Sequence, residues 1–183
     1  MILNTRSDWG SVARAFHWIL GIAILGMIAF GWWVNHVPAR PDRFFWRSIH
    51  ADIGYVVLLL TVVRLIWRVA NPTPELPSDA PRWQRIAAQV SHWLLYLVTI
   101  LVAMLGWAMS GARTQNYADW FGLFRVPQIT SPDRAAEHAY EERHIFFAYV
   151  LLALVVLHVA AAVWHHFIRR DRVTMRMVRG GQR

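Results

Sequence analysis

Four stretches of the chain are apolar for about the twenty residues that a helix needs to cross the hydrocarbon core of a bilayer. They run over 15–35, 48–69, 86–108 and 143–167. The first two are parted by a short hydrophilic segment, 37–43, in which Pro38 and Pro41 stop a helix, and the next two by the rigid turn Asn71-Pro72-Thr73-Pro74 with Pro77 beyond it. Such short connectors make neighbouring helices antiparallel. The third connector, 110–142, is the longest, and Trp120, Phe121 and Phe124 give it the apolar character to cover one mouth of a bundle. The pattern predicts an all-α integral membrane four-helix bundle of up-and-down topology, a single transmembrane domain over residues 1–183.

Composition supports lipid as the solvent. Hydrophobic residues make up 56% of 183, a share beyond that of ordinary soluble domains. The net charge of +8 comes with arginines clustered between the apolar stretches, a topology signal and no nucleic-acid face. With the N-terminus inside, twelve arginines fall on the inner side, six of them in the tail from Arg169, against seven outside. The positive-inside rule then places both termini of this multi-pass chain in the cytoplasm. The first span is long, aromatic and followed by three like it, so it reads as a retained helix, not a cleaved signal.

Polar residues within such spans are costly and tend to be functional. His17, His50, His92, His144 and His158 all lie there. His144 and His158 are fourteen residues apart, which is about 21 Å along a helix and only about 40° short of four full turns. One helix therefore offers two imidazoles on nearly one face at two depths. His17 opens the first span on the inner side and His50 opens the second on the outer side. Depth alone pairs His17 with His158 and His50 with His144.

The sequence contains no cysteine, which excludes disulfides, thiolate metal sites and covalent haem attachment. Two bis-histidine sites stacked across a membrane suit two b haems, held by histidine and packing alone. With both axial positions filled, such haems carry electrons and do not bind oxygen.

Other residues admit competing readings. Arg64 follows His50 by fourteen residues, so it reaches the inner depth, where it either pairs with a haem propionate or snorkels to the interface. Arg47 and Arg143 flank the outer histidines as propionate partners or as interface anchors. His92 lies at the level of the inner pair, bound to a propionate or a quinone, or simply packed. His165 and His166 read as interfacial, and His36 and His138 as solvent-exposed. Asp52 either orients a group near the outer haem or takes part in proton transfer, or it is a helix-start carboxylate facing water, the plainer reading. Gly54 and Gly106 allow a macrocycle, or a neighbouring helix, to approach closely. Tryptophans such as Trp18, Trp32, Trp93 and Trp164 mark the span ends. No Walker loop, nucleophile elbow or zinc-protease motif is present.

Arg14-Ala15-Phe16-His17-Trp18, Ser48-Ile49-His50-Ala51-Asp52-Ile53-Gly54, Val63-Arg64-Leu65, the Asn71-Pro72-Thr73-Pro74 turn, Ser91-His92-Trp93-Leu94-Leu95-Tyr96, Arg143-His144 and Leu157-His158-Val159-Ala160-Ala161 with His165-His166 together resemble the bacterial cytochrome b561 family. The resemblance spans nearly the whole chain. It implies that His17, His50, His144 and His158 ligate two haems b, and it extends to the cytochrome b subunits of nickel–iron hydrogenases. It further implies electron transfer between a periplasmic donor and the quinone pool, in the manner of a superoxide oxidase that passes electrons from superoxide to ubiquinone. On that reading Arg40, Arg43, Arg47, Arg113, Arg125, Arg134 and Arg143 steer the anion on the outer face. The alternative is a haem-bearing anchor subunit that docks a peripheral dehydrogenase or hydrogenase. A transporter with histidine proton relays is the third reading.

Overall fold

The computed structural model describes residues 1–36, 41–77, 79–113 and 119–180. Four long helices dominate it: α1 (Ser11–His36), α2 (Pro41–Ala70), α3 (Arg82–Arg113) and α4 (Arg134–Val163). Each is long and apolar enough to cross a membrane. Few side chains are buried, among them Leu20, Val34, Val57, Tyr96, Val98 and Leu151, while large apolar residues such as Ile22, Leu59, Leu97 and Leu157 face outward. That inversion suits a bundle whose outer face is solvated by lipid. It is a four-helix membrane bundle, as the apolar runs predicted.

The helices outrun those apolar runs wherever a polar turn is capped. α4 starts at Arg134, nine residues before the expected 143, because Asp133 at its N-cap accepts from the amides of Ala135 (2.8 Å) and Ala136 (3.2 Å) and Glu137 lies in the first turn. His138, Glu141 and Arg143 are thus helical. α2 likewise begins at Pro41, a residue pre-set for a first helical position. At the other end of α4 the chain widens into a π-helical turn, Trp164–Arg169, closed by Arg170 at φ 54°. A short helix, α5 (Val173–Val178), follows.

Packing runs α1 on α2, α2 on α3 and α3 on α4, whereas α4 touches α1 little and α2 scarcely at all. The bundle is therefore open along the line where α4 looks across to α1 and α2.

One end of the bundle, here the terminal face, ties together three segments distant in sequence. Asn4 donates to the carbonyl of Pro72 at 3.1 Å, Glu75 donates its amide to Arg6, and Arg176 donates to the carbonyl of Glu75 at 2.8 Å. Arg14 and Trp18 donate to the carbonyls of Val178 (3.3 Å) and Met177 (3.2 Å), so α5 is folded back beneath α1. Arg169 pairs with Asp79 at 2.9 Å and with Asp171 at 3.3 Å, and also bonds Gln84. His165, expected at the interface, is instead drawn into this network by Asp171 at 2.5 Å. His166 is exposed, as are His36 at the end of α1 and His138.

At the far face the third connector forms a two-stranded hairpin, β1 (Asp119–Trp120) with β2 (Phe124–Arg125). Residues 126–133 lie along α3, where Trp107 donates to the carbonyl of Pro127 at 2.9 Å and Thr130 to that of Ala108 at 2.7 Å. With the hairpin they cover the flank of α2 and α3. Residues 37–40 of the first connector, Arg40 included, and 114–118 of the third lie outside the described residues.

Candidate functional site

α2 and α4 run in the same direction from far face to terminal face, and α1 and α3 run against them. Because the helical period brings positions fourteen apart to nearly one face, each helix presents two positions at two depths. At the far layer these are Gly31, His50, Gly106 and His144; at the terminal layer, His17, Arg64, His92 and His158. The layers are about 21 Å apart.

In the far layer the rings of His50 and His144 face each other across the α2–α4 opening, with centroids 6.2 Å apart. Each ring rests on a glycine. A Cβ at Gly31 would come within 2.9 Å of Cε1 of His50, and one at Gly106 within 3.2 Å of Cε1 of His144. Nδ1 of His144 donates to the carbonyl of Val102 at 2.9 Å, which fixes the tautomer that leaves Nε2 free as a metal ligand. Nδ1 of His50 is buried without a hydrogen-bond partner. One turn outward the same two helices are joined again, by the ion pair of Arg47 and Glu141 at 3.2 Å. Arg113 of α3 pairs with Glu137 at 2.6 Å beside it.

In the terminal layer the rings of His17 and His158 face each other across the α1–α4 opening at 5.9 Å. Arg64 donates to Nδ1 of His17 at 3.0 Å, and its guanidinium lies over the ring of Tyr96 at 5.3 Å. His92 approaches His158 from α3, with ring centroids 5.5 Å apart.

Imidazole–metal bonds of about 2 Å on either side of one ion, plus the ring half-widths, put two axial imidazole centroids roughly 6 Å apart. Both facing pairs have that spacing. Both span helix pairs that otherwise scarcely pack, so a flat group between them displaces no core. No cluster of three or more His, Cys, Asp or Glu side chains able to hold a metal ion occurs among the described residues.

The family model described as prokaryotic cytochrome b561 matches residues 8–180. The chain belongs to that family. It is similar to "Cytochrome b561 homolog 2" of Escherichia coli (strain K12), 32% identical over 96% of this chain and 93% of the relative. It is also similar to "Probable superoxide oxidase CybB" of Yersinia pestis, 25% identical over 88% and 90% of the two chains. A third relative, "Cytochrome b562" of Cereibacter sphaeroides, is 29% identical over 89% and 90%. The protein is thus a bacterial membrane electron-transfer protein of the cytochrome b561 family, and b-type haem is the cofactor of the family.

The other residues singled out in the sequence divide. Arg64 and His92 stand in the terminal layer with the histidine pair. Arg47 stands directly above the far pair, whereas Arg143 is exposed on α4, with no hydrogen bond or ion pair among the described residues. Gly106 is the seat of His144; a Cβ at Gly54 would meet only the methyl of Met27, at an ordinary 3.8 Å, so Gly54 serves helix packing. Asp52 corrects the reading of a water-facing carboxylate. It is 3% exposed and accepts from the amide of Phe121 at 3.2 Å, while its carbonyl accepts from the indole of Trp120 at 3.1 Å. The hairpin buries it on the side of α2 turned away from His144. Gly31 was legible only as a glycine fourteen residues beyond His17, a relation that gains meaning once a facing histidine is known.

Proposed function

We propose that the protein carries electrons across the bacterial inner membrane through two b haems, one held by His50 and His144 and one by His17 and His158. The terminal face is the cytoplasmic one, in keeping with its excess of arginine. The observation that carries the reading is the pair of imidazole separations, 6.2 and 5.9 Å, each across an opening in the helix packing.

When bound, b haem supplies an iron that alternates between ferric and ferrous states. The residues around it determine what that iron can do. Two histidines at each site would hold the haem from both sides and leave no protein-free coordination site for oxygen, so the chemistry supplied would be electron exchange alone. Val102 holds the ring of His144, and Gly31 and Gly106 keep both far imidazoles at their depth. A His17 bonded to iron through Nε2 carries its proton on Nδ1 and cannot accept from Arg64. Arg64 is then free to bond a carboxylate at the terminal layer, as a haem propionate would require. Arg47, one turn outward of His50 and paired with Glu141, would serve a propionate of the far haem.

The donor is superoxide on the periplasmic side and the acceptor is ubiquinone. Two superoxide anions give up two electrons and leave as two molecules of oxygen; one quinone takes those electrons with two protons to become quinol. The relative from Yersinia pestis supports this by its name, "Probable superoxide oxidase CybB". Mixing the purified protein with superoxide, and separately with a quinol, while following the haem absorption tests it. Rapid reduction by superoxide followed by reoxidation by added ubiquinone is expected. Reduction by quinol alone would favour instead an anchor subunit that serves a docked dehydrogenase.

A further inference from the structure

The two layers are built on one plan but filled differently. At the far layer His144 has two supports from α3: its ring rests on Gly106 and its Nδ1 donates to the carbonyl of Val102. Fourteen residues along α3, the counterpart of that carbonyl is Ala88, and it already accepts the hydroxyl of Ser91 at 3.1 Å. The counterpart of Gly106 is His92. His158 makes no hydrogen bond among the described residues, so the terminal ligand lacks the backbone support that its far equivalent has.

The contact of His158 with His92 points to what replaces it. Two imidazoles sharing an N–H···N hydrogen bond of about 2.9 Å have centroids roughly 5 to 5.5 Å apart. His92 and His158 stand at 5.5 Å with their planes at 64°. His17 and His158, at 5.9 Å, are too far apart for such a bond and suitably apart for a shared metal.

We infer that His92 is the positioning residue of His158: the two rings stand in edge contact without a hydrogen bond, and a side-chain rotation on haem loading lets a ring nitrogen of His92 accept the Nδ1 proton of His158, which holds the tautomer that leaves Nε2 for the terminal haem. This rests on the two-haem reading above. His92 touches neither the iron nor the substrate; it acts through the ligand. A hydrogen bond accepted from Nδ1 makes a ligating imidazole more basic and favours ferric iron. The terminal haem is therefore tuned by a side chain, whereas the far haem is tuned by a main-chain carbonyl that no substitution of Val102 removes.

The test is a redox titration of purified holoprotein, with haem content measured alongside, for His92→Leu, which lacks an acceptor, and His92→Gln, which restores one. Both variants are expected to keep two haems. In His92→Leu one midpoint potential moves upward and the other stays; in His92→Gln the wild-type value returns. If His92→Leu does not accumulate, His92→Met is read by the same criterion. Unchanged potentials in the acceptor-free variant, or equal shifts in both haems, would overturn the inference. His17→Ala, titrated in parallel, separates the two levels. If it loses one haem while His92→Leu shows no shift, only the role of His92 fails. If it keeps two haems while His92→Leu keeps one, His92 is itself the ligand and the pairing of His17 with His158 fails as well.

Discussion

Arg64 reaches from α2 to donate to Nδ1 of His17 at 3.0 Å, a contact that links a half-buried cation to a ring that the proposed function assigns to iron. A ligating His17 cannot accept that bond, so loading the terminal site transfers the guanidinium to an anionic partner. Replacing Arg64 by Leu removes a positive charge from beside that site. The terminal midpoint potential is expected to fall by the equivalent of about 1–2 kcal/mol, the scale of one charge acting through a partly desolvated interior. A redox titration checks it, and an unchanged potential would leave Arg64 a structural partner of Tyr96.

Gly31 and Gly106 predict a selective loss. Alanine at Gly31 puts a methyl within 2.9 Å of the ring of His50, and alanine at Gly106 puts one at 3.2 Å from His144. Overpacking of this kind costs about 1–3 kcal/mol. Gly31→Ala should lower occupancy of the far haem strongly and Gly106→Ala moderately, both leaving the terminal haem in place. Gly21→Ala and Gly26→Ala, where nothing lies within 4 Å of the added methyl, are the controls and should keep both haems. Haem content per chain is the readout.

Asp52 anchors the far hairpin. It holds the amide of Phe121, a non-glycine residue at φ 44°, a conformation disfavoured by about 1 kcal/mol or more. Asp52→Ala removes the acceptor of that amide, at a cost of about 0.5–1.5 kcal/mol for a bond in an exposed hairpin. Faster limited proteolysis around 119–125 is expected, with both haems retained. Asp52→Asn keeps an acceptor oxygen and should largely preserve protection.

The far face also bears on the superoxide reading. Arg47 and Arg113, two of the arginines assigned to steering, are neutralised by Glu141 and Glu137. Steering by what remains should be weak. The rate of haem reduction by superoxide is expected to fall less than tenfold as ionic strength rises from about 10 to 150 mM. A rate independent of salt would remove steering altogether.

The spans and the histidine pairs were legible because both depend on local rules. Apolar length reports what faces lipid, and fourteen-residue spacing reports a shared helix face whatever the partner helices do. The polar first turns of α4 were not legible in hydropathy, since they stand on Asp133 and its capping bonds and not on burial. Asp52 was misread because its cover comes from Phe121, sixty-nine residues away. The seat of His50 on Gly31 was hidden for the same reason: a glycine in a membrane helix reads as packing until the ring against it is placed.

Haem content of the four single-histidine variants decides whether His17 with His158 and His50 with His144 hold one haem each. Each of His17→Ala, His50→Ala, His144→Ala and His158→Ala should bind one haem per chain where the wild type binds two. His17→Ala and His158→Ala should retain one and the same spectral species, and His50→Ala and His144→Ala the other. Two haems retained in any of the four, or residual spectra that group the variants differently, would contradict the account.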